Sequence, residues 1–336
     1  MKKLKEIRAF LLVITSIIAI LLAPGITAPA HAQAVLNADR LVLDETEGGL
    51  TITMEGPVQV AYGGDRLLAD SAVAFLGDDI SSLEDALERI ELAGNVSYTG
   101  ADGTTGSASR ATYFAYENRI TLSGSARLTR GDISVSAATV TYNITSNRLE
   151  MSGGVRISDA QISSTSESAE YNLDDRTGSL SGSVEVLYRT GEVLFGDERI
   201  EEVVLQAQAL YVSVGDGIVR TPEGPQGRRT EITAGDYTLS ADRLIFGVSD
   251  DGINSVEAEG NVSLTGPELQ YLNADMINLS TDDRVLHAEG NVGFSVRGQS
   301  GTAESIEVNF ATGWSIRLVG ASIDGTIEQE SESEDN

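Results

Sequence analysis

The strongest constraint in this sequence is a repeat of roughly 30 residues. Gly94-Asn95-Val96, Gly260-Asn261-Val262 and Gly290-Asn291-Val292 share a tripeptide. Looser copies occur at Gly56-Pro57-Val58, Gly124-Ser125-Ala126, Gly154-Val155, Gly182-Ser183-Val184 and Gly320-Ala321-Ser322. Glycines 94, 124 and 154 lie 30 apart, as do 260, 290 and 320. In step with them runs a small residue followed by apolar residues three and five positions later. It is seen at Ala38/Leu41/Leu43, Ala108/Ala111/Tyr113, Ala137/Val140/Tyr142, Ser166/Ala169/Tyr171, Ala207/Leu210/Val212, Ala241/Leu244/Phe246, Ala274/Ile277/Leu279 and Ala303/Ile306/Val308. A weak copy at Ala69/Ala72/Ala74 makes nine, spaced 29 to 41 residues apart. A fixed period with local insertions marks a repeat architecture, and the insertions belong in surface loops.

Inside each unit the apolar period is two, as in Val96/Tyr98, Ile120/Leu122, Leu149/Met151 and Val184/Val186, in short segments bounded by Gly, Asn, Asp and Ser. That pattern predicts half-buried strands and turns, hence an all-β chain. Asp174-Asp175, Asp250-Asp251-Gly252 and Asp282-Asp283 fall between such segments, where Asp favours turns. Only Ser81 to Arg89 hints at helix, with Ser82 as a cap, and it reads as a loop carrying two helical turns at most. One unit has too few inward apolar side chains to offset about 1–2 kcal/mol of backbone entropy per ordered residue. Stacked units share one interior, and a sheet that does not close leaves a free edge at each end.

Composition removes most familiar chemistries. The chain of 336 residues has no cysteine and only two histidines, His31 and His287. Thiolate nucleophiles, Cys-ligated zinc, His-based triads and multi-histidine metal sites are therefore excluded or implausible. Residues 1–32 have the three parts of a secretory signal: Lys2, Lys3, Lys5 and Arg8, an apolar run from Ala9 to Ala23, and Ala30-His31-Ala32 as cleavage site. The alternative is an uncleaved anchor, for which the apolar run is short. Cleavage takes four of the 23 basic and one of the 51 acidic residues, leaving a net charge of −31. Without a basic patch interleaved with aromatics, such a polyanion is no nucleic-acid binder. A soluble, exported protein is expected.

The unit, written Gly-Asn-Val-x-apolar, a Gly-containing turn, apolar-x-Ala-x-x-apolar-x-apolar, a polar turn, then apolar-x-apolar-x-Gly, resembles the repeat of the LptA/OstA family of periplasmic lipopolysaccharide-transport proteins. Ile90 to Val186, with ELAGNVSYTG and NRLEMSGGVRIS, and Ala241 to Gly320, with LNADMINLSTDDRVLHAEGNV, carry the resemblance best. It implies an elongated, open β-jelly roll, or β-taco, whose apolar groove shields lipopolysaccharide acyl chains on their way to the outer membrane. It also implies edge-strand pairing with transport components at the inner and outer membranes, and end-to-end self-association. The length suggests two jelly-roll blocks, 33–188 and 230–326, with a divergent connecting segment 189–229 and an acidic disordered tail 327–336. Because carboxylates repel phosphorylated head groups, recognition is assigned to the acyl chains.

The groove candidates are Val96, Tyr98, Tyr113, Val140, Tyr142 and Tyr171 in the first block, and Phe246, Ile277, Leu279, Ile306 and Val308 in the second. Each of the aromatic residues, Phe294 included, has the alternative of plain packing between two sheets. His287 has no second histidine beside it, and reads as a strand-surface or partly buried residue. The Asp pairs lack any calcium-loop motif, so turn chemistry is preferred to metal binding. Glu150 and Glu185 could form a glycosidase pair only if the fold brought them together. The expectation is thus a non-enzymatic protein without cofactor or metal. A structural or adhesive β-solenoid with a filled interior is the alternative, and a β-helix enzyme a more distant one.

Overall fold

The computed structural model describes residues 35–324 except 47–48, 63–64, 78–86, 101–102, 115, 118, 144, 159–161, 173, 176, 190–200, 214, 223–228, 250–251, 268, 297 and 312–314. The export signal, the acidic tail, Asp250-Asp251 and the helical reading of Ser81 to Ala86 lie outside the described residues. Leu87 to Arg89, the end of that segment, open a strand.

The period-two pattern becomes an all-β chain of 22 strands among the described residues. It divides into two compact units. One comprises Met1–Arg189, Ala207–Val219 and Val248–Gly252; the other comprises Thr190–Gln206, Arg220–Gly247 and Ile253–Asn336. In the first, β1 (Val35–Asn37) and β2 (Arg40–Thr46) both pair with β3 (Gly49–Tyr62). From β3 an antiparallel meander runs through β4 (Asp65–Leu76), β5 (Leu87–Thr99), β6 (Thr105–Phe114), β7 (Arg119–Arg130) and β8 (Ile133–Asn143). It continues through β9 (Arg148–Ser158) and β10 (Ile162–Asn172) to β11 (Thr177–Arg189). The stretch 189–229 holds β12 (Glu202–Ser213) and β13 (Ile218–Arg220).

In the second unit β14 (Thr230–Ala234) lies between the first half of β12 and β15 (Tyr237–Ala241). Beyond β16 (Arg243–Ser249), the strands β17 (Gly252–Thr265), β18 (Leu269–Ser280), β19 (Val285–Val296) and β20 (Gln299–Asn309) form a second meander. Both β21 (Ser315–Val319) and β22 (Ser322–Asp324) pair with β20.

Except for Gly320, which lies between β21 and β22, the repeated glycines do not end strands, as the short segments suggest. They bend them. Strand β5 is 13 residues long, with Gly94 (φ 75°) and Asn95 (φ 47°) near its middle. Gly260-Asn261 (φ 74°, 47°) and Gly290-Asn291 (φ 75°, 49°) repeat this, and Gly124-Ser125, Gly153-Gly154 and Gly182-Ser183 are also left-handed at both residues. The ladder slips there, as from Ala93↔Arg110 to Val96↔Ala108. Such a bulge turns the strand sharply and divides it into two arms. It also explains the odd spacing of the second motif. Ala108 and Ala111 are three apart in a period-two strand, yet both are buried, because the slipped register restores the inward direction. Small side chains recur beside the bend, at Ala69, Ala137, Ser166, Ala241 and Ala274, all buried where the arms meet.

Position by position, the bend selects its residues. A Cβ on Gly260 would lie 2.7 Å from Asp242 Oδ2, besides adopting a left-handed φ. A Cβ on Gly154 would meet nothing within 4 Å, and Gly154 stands where other bends carry Asn. Gly260→Ala should therefore destabilise the protein by about 1–3 kcal/mol. Gly154→Asn should stay within about 0.5 kcal/mol of the parent, since Asn tolerates this conformation. Urea unfolding of both variants checks the contrast, and equal losses would contradict it.

Candidate functional site

Both arms of each bent strand turn apolar side chains to one interior. In the first unit Met54, Ala72 and Leu92 from one arm join Val58, Ala69 and Val96 from the other in a single core cluster. Along one arm, Tyr113, Ile120, Tyr142, Leu149 and Tyr171 follow each other through the registers of β6 to β10. The row ends at Gly178, where a Cβ would lie 2.6 Å from the Tyr171 ring, so the glycine makes room for the aromatic. The second unit repeats the scheme with Ala258, Ile277, Ala288 and Ile306 in register on β17 to β20.

Among the predicted groove residues, Val96, Val140, Tyr142 and Tyr171 are buried in the first unit, and Phe246, Ile277, Ile306 and Val308 in the second. Tyr98, Tyr113 and Leu279 are half-buried. The two arms are thus in contact rather than parted. A cavity of about 50 Å³ remains between them, lined by Met151, Ile157, Ile162, Tyr171, Val186 and Leu210 among others. Ligand pockets usually have roughly 300–1,000 Å³, so an occupant of ordinary size at this place has to separate the arms.

Tyr142 shows how the hairpin turns are tied to the interior. Its hydroxyl donates to Asn147 Oδ1 at 2.9 Å, and Asn147 Nδ2 donates to Asp174 Oδ1 at 2.8 Å. Burial, then the nearby Asp174 carboxylate, push the phenol up to about 12. Asp174 and Asp175 form a turn whose N–H groups donate to Asn172 Oδ1 at 2.9 and 3.1 Å, and Asp283 lies in a turn closed by Ser280.

The polar residues singled out in the sequence do not converge. Glu150 pairs with Arg148 (3.2 Å) on the outer face of one arm, and Glu185 lies opposite Thr165 on the other arm. His287 is on an outer strand surface, 3.5 Å from Glu289 and in register with Glu307. Among the described residues no three potential metal-ligating side chains of His, Cys, Asp or Glu come together, and no helix is long and apolar enough to cross a membrane.

The functional reading overlooked the acids at the bends. Asn95, Asn261 and Asn291 donate to Asp70, Asp242 and Asp275 at 2.8, 2.7 and 2.8 Å. Each Asp directly follows the small residue of the second motif, and Asp39, Glu167 and Glu304 occupy the same place. The sequence therefore does carry their signal, one position after the small residue of that motif.

β-Meanders whose two arms enclose an apolar interior, each unit by itself, define a jelly-roll type of protein. Residues 36–148 match the family described as LptA/(LptD N-terminal domain) LPS transport protein. That stretch is an LptA-like segment, in keeping with the repeat resemblance. The crystal structure of LptH, the LptA homologous periplasmic component of the conserved lipopolysaccharide transport device from Pseudomonas aeruginosa, is 20% identical, covering 33% of this chain and 76% of that one, with a TM-score of 0.27. No curated protein sequence matches the chain.

The raised Tyr142 phenol fixes the sign of an alkaline effect. The folded state holds the proton more tightly than the unfolded chain, so this contribution to stability is complete below about pH 10 and is lost as pH rises towards about 12. Tyr142→Phe should flatten the fall in stability over that window and remove one late-ionising tyrosine from an ultraviolet titration. A titration unchanged by the substitution would contradict the assignment.

Proposed function

We propose that the chain is a non-enzymatic periplasmic carrier or bridge, shielding lipopolysaccharide acyl chains between the arms of its jelly rolls during transport to the outer membrane. The observation that carries this reading is the coincidence of the LptA-like segment, residues 36–148, with bent strands whose two arms share an apolar interior. Acyl chains need only apolar burial, which suits an interior with few polar groups. The groove candidates supply it, with Tyr98, Tyr113 and Leu279 the most accessible. Residues 1–32 would direct the chain to the periplasm and be removed.

Partners fit the free strand edges. Among the described residues β1 and β2 pair with β3 alone, and Leu41 and Leu43 are exposed. At the other terminus Ile316, Val319 and Ile323 are exposed on β21 and β22. Edges of this kind accept an added strand, from another transport component or a second copy. The contact between arms favours one other reading, a structural or adhesive β-solenoid with a filled interior that binds no lipid.

Photo-crosslinking residues at Tyr113 and Leu279, with outward-facing Thr121 as control, separate the two in living cells. A carrier gives lipopolysaccharide adducts at the two inward sites and none at Thr121. Lipid-free protein at every inward position would overturn the carrier and leave the rod.

A further inference from the structure

We infer that the outer face of one arm of the first unit, across strands β5 to β10, binds an anionic polysaccharide through Arg127 and Arg156. On that face one row of side chains runs in register through Ser97, Ser107, Arg127, Ser136, Arg156 and Thr165. The row beside it is Thr99, Thr105, Thr129, Ser134, Ser158 and Ser163. Neither row contains a carboxylate, in a chain with 51 acids and 23 bases. Carboxylates bound the face instead, with Glu185 opposite Thr165 and Asp132 in the turn between β7 and β8. Strand propensity accounts for the threonines, but serine is not among the strand-favoured residues.

The two arginines differ from most on the other arm, where only Arg110, beside the bend, is likewise exposed and without an ion pair among the described residues. There, Arg89, Arg119 and Arg148 are held by Glu91 (2.9 Å), Glu117 (2.7 Å) and Glu170 (2.6 Å). Arg127 and Arg156 are exposed, and neither has an ion pair or side-chain hydrogen bond among the described residues. They stand two strands apart, about 9.4–9.8 Å, with the Ser136 hydroxyl between them. A guanidinium grips a carboxylate or phosphate with two parallel hydrogen bonds, and the surrounding hydroxyls can donate to or accept from sugar hydroxyls.

A polymer whose same-side charges recur once per disaccharide fits this spacing. An extended acidic peptide fits less well, since same-side carboxylates recur every two residues, about 6.7 Å. Neither row offers an aromatic ring for neutral sugars to stack on, so charge supplies the attraction. The strong negative charge elsewhere opposes adsorption of polyanions to the rest of the surface.

Binding of the purified full chain to polygalacturonate, to a phosphodiester-linked glycan, to neutral dextran and to polyglutamate tests the inference at low and at physiological salt. Both anionic glycans should bind and weaken with salt, and the tighter of the two tells carboxylate from phosphate recognition; dextran should not bind. Arg127→Ser with Arg156→Ser should weaken binding about tenfold or more, while the double Lys variant keeps part of it and Arg148→Ser keeps all of it. All variants should melt with the parent. Polyglutamate bound as tightly as the glycans would make the partner an acidic polypeptide and overturn the inference. So would absence of glycan binding, or a double Ser variant that binds like the parent.

Discussion

The structure depends on a two-residue left-handed bend in the middle of a strand. Ordinary residues resist this conformation, so the two-residue bends have Gly first and Gly, Asn or Ser second, while at Gly56-Pro57 the glycine alone is left-handed; at Gly94, Gly260 and Gly290 the acid across the ladder leaves no space for a Cβ. Much else follows from that geometry. The slipped register lets both arms present apolar residues to the same side. The fold line admits only small side chains, and the Asp beside each small residue satisfies the Asn amide at three of the bends. One local conformation, repeated about every 30 residues, turns an open meander into two packed arms.

The same geometry sorts the charge. With the interior reserved for apolar side chains, the acids lie along the bends and the outer faces, where water and a few arginines meet them. Arg243 and Glu259 make the least exposed of these pairs, at 2.8 Å, and Glu257 shares a hydrogen bond with Glu259 that raises its pKa above the usual carboxylate range. Exposed pairs of this kind are worth about 0–1 kcal/mol each, so they decorate the sheet and do not hold it. What holds it is the strand ladder within each arm and the apolar contact between arms.

How far the sequence could be read follows from which features are local. The 30-residue register, the period of two and the Ala-x-x-apolar-x-apolar element are visible in a string, and they lead to the all-β repeat. The role of Gly94-Asn95 is less visible, because the same residues suit a hairpin turn and a bend inside a strand. Only the pairing of Val96 with Ala108 beyond the slip distinguishes them. The Asp70–Asn95 contact spans 25 residues and needs the fold to bring it together. Inward direction was legible for Tyr142 and Leu279 alike, but depth was not, since burial depends on how closely the opposite arm approaches. Tyr142 is covered and Leu279 is half-exposed, although both hold the last place of the same motif.

That approach of the arms is also the step on which a carrier would turn. Among the described residues of the first unit the registered hydrogen-bond ladders run along each arm, not from one arm to the other. Parting the arms therefore breaks no ladder; it exposes apolar surface at roughly 25 cal/mol per Å². An acyl chain entering the gap covers that surface again, so the cost of opening falls mainly on the moment before the ligand arrives. The bends keep the two arms of each unit joined throughout. On the carrier reading, the packed interior is the resting form of a device held shut by the same apolar force that would bind its cargo. A rod would use that force only to stay closed, which is why occupancy of the interior separates the two readings where shape does not.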